Sequence, residues 1–172
     1  MALFPLHFLI GCPGSGKSFL AEQLQQRLPQ YGIVSTDQIR LDLYGDEAIQ
    51  GLWTEIEPEI FAQIHRLQTA GQGIIYDATN TQWVYRQQFL AKLKDHGITH
   101  INAWVLPTPL EVCLSRNQRR SRQVPPAIIQ AMFDQMQQYP PQLSEGFQQI
   151  YEVTEAEVND LTQFLNNHFQ RG

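Results

Sequence analysis

The stretch Gly11-Cys12-Pro13-Gly14-Ser15-Gly16-Lys17-Ser18-Phe19 follows directly on the apolar run Leu6-His7-Phe8-Leu9-Ile10. Glycine and proline end regular structure, so Gly11, Pro13, Gly14 and Gly16 mark a forced turn. The spacing Gly11-x-x-x-x-Gly16-Lys17-Ser18 matches the phosphate-binding loop. Backbone free of side chains can wrap a phosphate with its N–H groups. The helix N-terminus that follows adds partial positive charge. Lys17 adds a full charge, and the Ser18 hydroxyl can ligate Mg²⁺. Residues Gly11 to Phe19 are therefore predicted to hold a nucleoside triphosphate, with Mg²⁺ as its companion ion.

Three further constellations bear on what that nucleotide is used for. In Ser35-Thr36-Asp37-Gln38-Ile39-Arg40, Asp37 and Arg40 lie i, i+3, on one face of a helix. A carboxylate there can take the proton of an acceptor hydroxyl, and the arginine can hold an anionic part of the acceptor. The alternative is a helix-capping Asp37 beside a surface Arg40. In Ile74-Ile75-Tyr76-Asp77-Ala78-Thr79-Asn80, an apolar strand ends in Asp77, which suits a Mg²⁺-supporting acid. A cap for the next helix is its alternative. Lastly, Arg116, Arg119, Arg120 and Arg122 crowd into seven positions, with Arg116 and Arg120 sharing a helical face at i, i+4. Arginines that close over a nucleotide neutralise charge on the transferred phosphoryl group. A solvated charged turn is the competing reading.

The elements that must position these groups alternate between strand and helix. Strands are predicted at 6–10, 33–36, 73–77, 101–106 and 150–153. The first helix carries Phe19, Leu20, Leu24 and Leu28, and a brief helix runs over 37–44. The helix over 52–70 has Trp53, Ile56, Ile60, Ile64 and Leu67 as its stripe. The next, ending near Gly97, has Tyr85, Phe89, Leu90 and Leu93. Leu110 to Arg116 opens a helix, Pro125-Pro126 starts another through Ile128, Ile129, Met132 and Met136, and a closing helix spans 155–169. This alternation predicts a parallel α/β sheet of about five strands with helices on both faces. No repeat or linker divides the 172 residues, so a single domain over 1–172 is expected.

Bulk properties exclude several classes. No run approaches the ~18 apolar residues of a membrane span, and Met-Ala-Leu-Phe-Pro-Leu-His lacks the basic start of a signal peptide. The two cysteines, Cys12 and Cys113, suit a reducing cytoplasm. The five histidines show no metal spacing, so no structural metal is expected. Net charge is −5, and 123–170 holds six carboxylates and no Lys or Arg, which disfavours a broad nucleic-acid footprint there. No Asn-Lys-x-Asp guanine-reading motif occurs, which disfavours GTPases. A small phosphotransferase remains, and an ATP-binding switch without transfer is its rival from another class. Asp37 separates the two, because a switch needs no hydroxyl base.

The set Gly11–Ser18, Asp37-x-x-Arg40, Asp77-Ala-Thr-Asn80 and Arg116-Asn-x-x-Arg120-x-x-x-Val-Pro125 resembles the 5′-hydroxyl polynucleotide kinase domain over residues 6 to about 140. That resemblance implies a P-loop NTPase-type sheet with a small arginine-bearing helical lid at about 114–138. It implies Lys17 and Ser18 on phosphates and Mg²⁺, with Asp77 on the metal side, and Asp37 as general base. Arg40, with Asn80, would face the acceptor, and Arg120 with Arg116 would clamp the donor phosphates. Phe19 stands where many relatives carry Thr. The expected acceptor is the 5′-OH of a nucleic-acid end. Related small kinases of this fold act instead on sugars, antibiotics or other metabolites. Oligomeric state is open, a homo-oligomer included.

Overall fold

The computed structural model describes residues 4–169. Residues 1–3 and 170–172 of the expected domain, including the first three of the segment read for a signal, lie outside the described residues. Within them the chain runs β1 (Leu6–Ile10), α1 (Lys17–Arg27), β2 (Tyr31–Ser35), α2 (Thr36–Tyr44), α3 (Trp53–Thr69), β3 (Gly73–Asp77) and α4 (Trp83–Asp95). It continues through β4 (Ile101–Val105), α5 (Leu110–Gln118), α6 (Pro126–Gln138), a 3₁₀ turn at Leu143–Glu145, β5 (Gln149–Glu152), α7 (Glu155–Asn159) and α8 (Leu161–Phe169).

All strand pairings are parallel, in the order β2-β3-β1-β4-β5. β1 lies at the centre and every one of its residues is buried, as expected of a strand covered on both faces. One face packs Phe8 and Ile10 against Ile56, Ile60 and Ile64 of α3, Phe89 and Leu93 of α4, and Ile129 of α6. The other packs Leu9 and Trp104 against Leu20 and Leu24 of α1 and Val158, Leu161 and Phe164 of α7 and α8. The expected parallel α/β architecture with helices on both faces is therefore the observed one.

Two local expectations change. β2 begins at Tyr31 and stops at Ser35, where a strand over 33–36 was expected. Tyr31 pairs with Gly73, and its ring lies where a Gly73 side chain would be, 2.3 Å from a Cβ built there. The missing side chain lets the strand start earlier. The closing helix is also broken in two at Asp160 (φ −113°, ψ 44°). Asp160 ends α7 through its N–H to Ala156 O and starts α8 by accepting from Gln163 and Phe164 N–H.

The topology places the chemistry. In open parallel sheets ligands approach the carboxyl ends of the strands, where neighbouring connections diverge. The loop after β1, the end of β3 and the turn after β2 meet there. Register matters too: Ser35 pairs with Asp77, so Asp37, the second residue of α2, lies close to the end of β3.

Candidate active site

The phosphate loop is shaped by glycine conformations that other residues resist. Gly14 (φ +82°) and Gly16 (φ +100°) are left-handed, and a Cβ on Gly14 would sit 2.6 Å from Cys113 O. A Cβ on Gly11 would fall 2.5 Å from Ser15 Oγ, so the hollow of the loop depends on its absence. Gly16 caps α1 without any side-chain bond, which leaves the first helical N–H groups facing the loop. Thr108 Oγ1 donates to Ser15 O (2.9 Å), and Gly11 N–H donates to Thr79 O (3.0 Å), fixing both sides. Phe19 lies half-exposed at the cleft rim.

Lys17 is buried, and its Nζ donates to Cys12 O at 2.9 Å. Burial lowers its pKa, opposed first by the Asp77 carboxylate. Burial pushes the Cys12 thiol up to about 12, which disfavours its reactive thiolate form. Ser18 Oγ donates to Asp77 Oδ2 at 2.8 Å, joining the start of α1 to the end of β3. Burial also raises the Asp77 pKa, with Lys17 the main opposing charge. A hydroxyl and a carboxylate in contact beside the loop are hard oxygen donors, and they fit Mg²⁺. Bound there, Mg²⁺ would neutralise phosphate charge. Asp77 does not cap α4, whose N-cap is Gln82.

Asp37 is not a cap either. Ser35 caps α2, its side chain accepting from Gln38 N–H at 3.4 Å. The Asp37 side chain stays 40% exposed, and its Oδ1 accepts from Arg40 Nη1 (3.1 Å) and Arg122 Nη1 (2.9 Å). Arg40 is not a surface residue, for its side chain is only 15% exposed and its Nε donates to Gln50 O. Asn80 adopts φ +52° and spends both amide hydrogens on Leu9 O (2.7 Å) and Ala78 O (3.2 Å). Its expected acceptor contact is thus limited to Oδ1, and the residue ties the ends of β1 and β3 together.

The arginine turn departs from the expected helical face. α5 ends at Gln118, so Arg120 lies beyond it and is exposed, not one turn above Arg116 on a continuous helix. The cause is Asn117, a buried side chain whose Nδ2 donates to Val124 O (2.8 Å) and whose Oδ1 accepts from Val124 N–H (2.9 Å). That reciprocal staple folds 118–123 into a loop over the cleft. Arg116 reaches Gly14 O (3.4 Å) and Glu155 (2.7 Å), and Arg122 reaches Asp37. The rest of the expected lid is anchored, because Ile129 and Met136 of α6 belong to the core.

One cleft of about 1050 Å³ contains Lys17, Ser18, Asp37, Asp77, Arg120 and Arg122. Trp53, expected on the apolar stripe of its helix, and Tyr85 and Ile128, named with the apolar residues of theirs, are exposed and line this cleft. On α4 the stripe is Arg86, Phe89, Leu90 and Leu93 instead. Arg86 is buried because Glu145 meets it at Nε (2.7 Å) and Nη2 (2.9 Å), while Asn80, Thr81 and Tyr139 carbonyls accept its remaining hydrogens. Sequence reading passed over Arg86, although its i, i+3, i+4, i+7 spacing with the apolar residues was a usable signal. Asn117 lay inside the quoted arginine motif without a role. Only the fold could pair Arg122 with Asp37.

Among the described residues no helix is long and apolar enough to cross a membrane. No group of three or more His, Cys, Asp or Glu is placed there to hold a metal ion.

Comparison with known proteins bears on the family and the fold. A family model described as an AAA domain matches residues 6–141. No curated protein matches the chain. Among solved structures, a chain of the Pnkp1/Rnl/Hen1 RNA repair complex is similar at 23% identity and a TM-score of 0.69. The match covers 80% of this chain but 46% of that one, so the chain spans about half the length of this relative. The tunicamycin resistance protein of Deinococcus radiodurans is similar at 20% identity and 0.63, over 96% of this chain and 95% of the other. Shikimate kinase from Acinetobacter baumannii, in complex with shikimate, gives 17% and 0.55 over 96% of each chain. The chain belongs to the AAA domain family and has the P-loop kinase fold.

Proposed function

We propose that this protein transfers the γ-phosphoryl group of ATP to a hydroxyl, with Mg²⁺, and that the hydroxyl is the 5′-OH of a polynucleotide end. The observation that carries the reading is the Asp37 carboxylate. It caps no helix, opens into the same cleft as the phosphate loop, and has one oxygen held by two arginines while Oδ2 accepts no hydrogen bond from the described residues. A switch protein has no use for such a group.

In the proposed step the acceptor oxygen bonds to the γ-phosphorus as its proton passes to Asp37, and the bond to the β,γ-bridging oxygen breaks to release ADP. Lys17 and the N–H groups at the start of α1 bind the donor phosphates, Arg116 and Arg120 close on them, and Ser18 with Asp77 holds Mg²⁺. Arg40 receives the acceptor's own phosphate. Trp53 and Tyr85 line the same cleft with flat aromatic faces suited to a nucleobase. Two buried, unpaired cysteines are in keeping with a reducing cytoplasm.

A second reading, a kinase of small metabolites, is favoured by the coverage of 96% of both chains in the match to shikimate kinase. Transfer of γ-labelled phosphate onto 5′-OH DNA and RNA oligonucleotides, alongside a metabolite panel, separates the two. Label on 5′-OH but not 5′-phosphorylated oligonucleotides is expected. Label on a metabolite alone would replace the acceptor, and ATP hydrolysis without transfer to anything would overturn the kinase reading.

A further inference from the structure

Arg122 stands apart from the other arginines of its turn. It is 85 positions from Asp37 in sequence, yet its Nη1 lies 2.9 Å from Asp37 Oδ1. Its side chain is 12% exposed, against 40% for the carboxylate. Arg40 approaches the same oxygen from within α2. The turn that carries Arg122 is held on either side by Asn117 and Val124, and Arg116, at the end of α5 just before it, touches the phosphate loop at Gly14 O. One short segment therefore contacts the donor half and the acceptor half of the cleft.

We propose that Arg122 is a positioning residue for Asp37, so that closing the arginine turn over the donor and aiming the base at the acceptor are one event. This rests on the reading of Asp37 as the base. With Oδ1 pinned by two guanidinium groups from different elements, the carboxylate cannot rotate freely and presents Oδ2 to the cleft. Arg40 alone fixes the carboxylate to its own helix. Arg122 fixes it to the turn. Arg122 touches no donor phosphate in this scheme, which distinguishes it from Arg120.

The scheme makes different demands on rate, affinity and motion. In the full chain, Arg122→Ala should slow single-turnover transfer about 10- to 100-fold, the scale set by a small misplacement of a reacting group. Calorimetric affinity for ATP should stay within about three-fold, because uniform binding is untouched. Arg122→Lys should recover much of the rate, and Arg119→Ala, altering an exposed neighbour, should match wild type. The double variant Asp37→Asn/Arg122→Ala should be no slower than Asp37→Asn, since residues that act as a unit are not additive. Hydrogen exchange supplies a readout apart from turnover: Asp37→Ala should quicken exchange at 119–123 without lowering the melting temperature in step.

Arg122→Ala turning over like Arg119→Ala overturns the proposal. So does a fall in ATP affinity with multiplicative losses in the double variant, which would make Arg122 a donor clamp. Unchanged exchange at 119–123 in Asp37→Ala also overturns it. If Asp37→Asn itself transfers at the wild-type rate, the failure lies with the base reading.

Discussion

Replacing Arg86 with methionine should unfold the protein at a markedly lower temperature. The guanidinium is fully enclosed and makes two bonds to Glu145, whose side chain is only 6% exposed. Three backbone carbonyls, of Asn80, Thr81 and Tyr139, also depend on it. After substitution Glu145 keeps Gln87 Nε2 (2.7 Å) and the Gln142 N–H (3.1 Å), two donors for a buried anion. Removing one member of such a pair costs about 3–5 kcal/mol, because the other is left charged and dry. A chain of this size loses about 2–4 °C per kcal/mol, so the midpoint should drop by roughly 6–20 °C. Differential scanning calorimetry and urea unfolding measure it. Arg86→Met/Glu145→Leu, which removes both charges, should be more stable than Arg86→Met alone. A loss below about 1 kcal/mol in the single variant, or a double variant worse than the sum of its parts, would refute the claim that a satisfied ion pair fixes this side of the cleft.

Asp77→Asn keeps the hydrogen bond from Ser18 but removes the anion, so the Mg²⁺ concentration for half-maximal transfer should rise about 10- to 100-fold. A Mg²⁺ titration tests it, and an unchanged midpoint would remove Asp77 from the metal side. His7 bears on acid stability. Burial lowers its pKa from 6.5 to about 4, and its Nδ1 accepts from Trp104 Nε1 at 2.9 Å. The unfolded chain binds the proton first as pH falls, so stability present above pH 6.5 is lost toward pH 4. The loss is on the order of 3 kcal/mol. Urea unfolding across that range should show a shallower decline for His7→Gln, and parallel curves would contradict the assignment.

What the sequence disclosed, and what it hid, follows from the range of the interactions. The phosphate loop needs only neighbours in the chain to declare itself, because Gly14 and Gly16 serve local backbone geometry. The strands likewise report their burial through unbroken apolar runs such as Leu6–Ile10. Asp37 and Asp77 were visible as carboxylates at strand ends, but whether each capped a helix depended on Ser35 and Gln82. Trp53, Tyr85 and Ile128 misled because an apolar side chain facing a cleft has the same helical spacing as one facing a core. Arg86 was hidden for the reverse reason: a charge on a buried stripe makes sense only once Glu145, 59 positions later, is brought beside it. The shared helical face of Arg116 and Arg120 failed because a side chain, Asn117, turns the chain there without glycine or proline.

The central claim is that Asp37 takes the acceptor's proton, and Asp37→Asn tests it most directly. Asparagine keeps the shape of aspartate and can still accept from Arg40 and Arg122, but it cannot accept a proton from a hydroxyl. General bases contribute about 10²–10⁴-fold, with the lower end expected if phosphoryl transfer is loose and proton removal late. Single-turnover transfer of labelled γ-phosphate should fall by that factor, while calorimetric ATP affinity stays within about three-fold because the phosphate loop is unaltered. Transfer that survives while ATP binding weakens would contradict the account and make Asp37 a residue of the donor site.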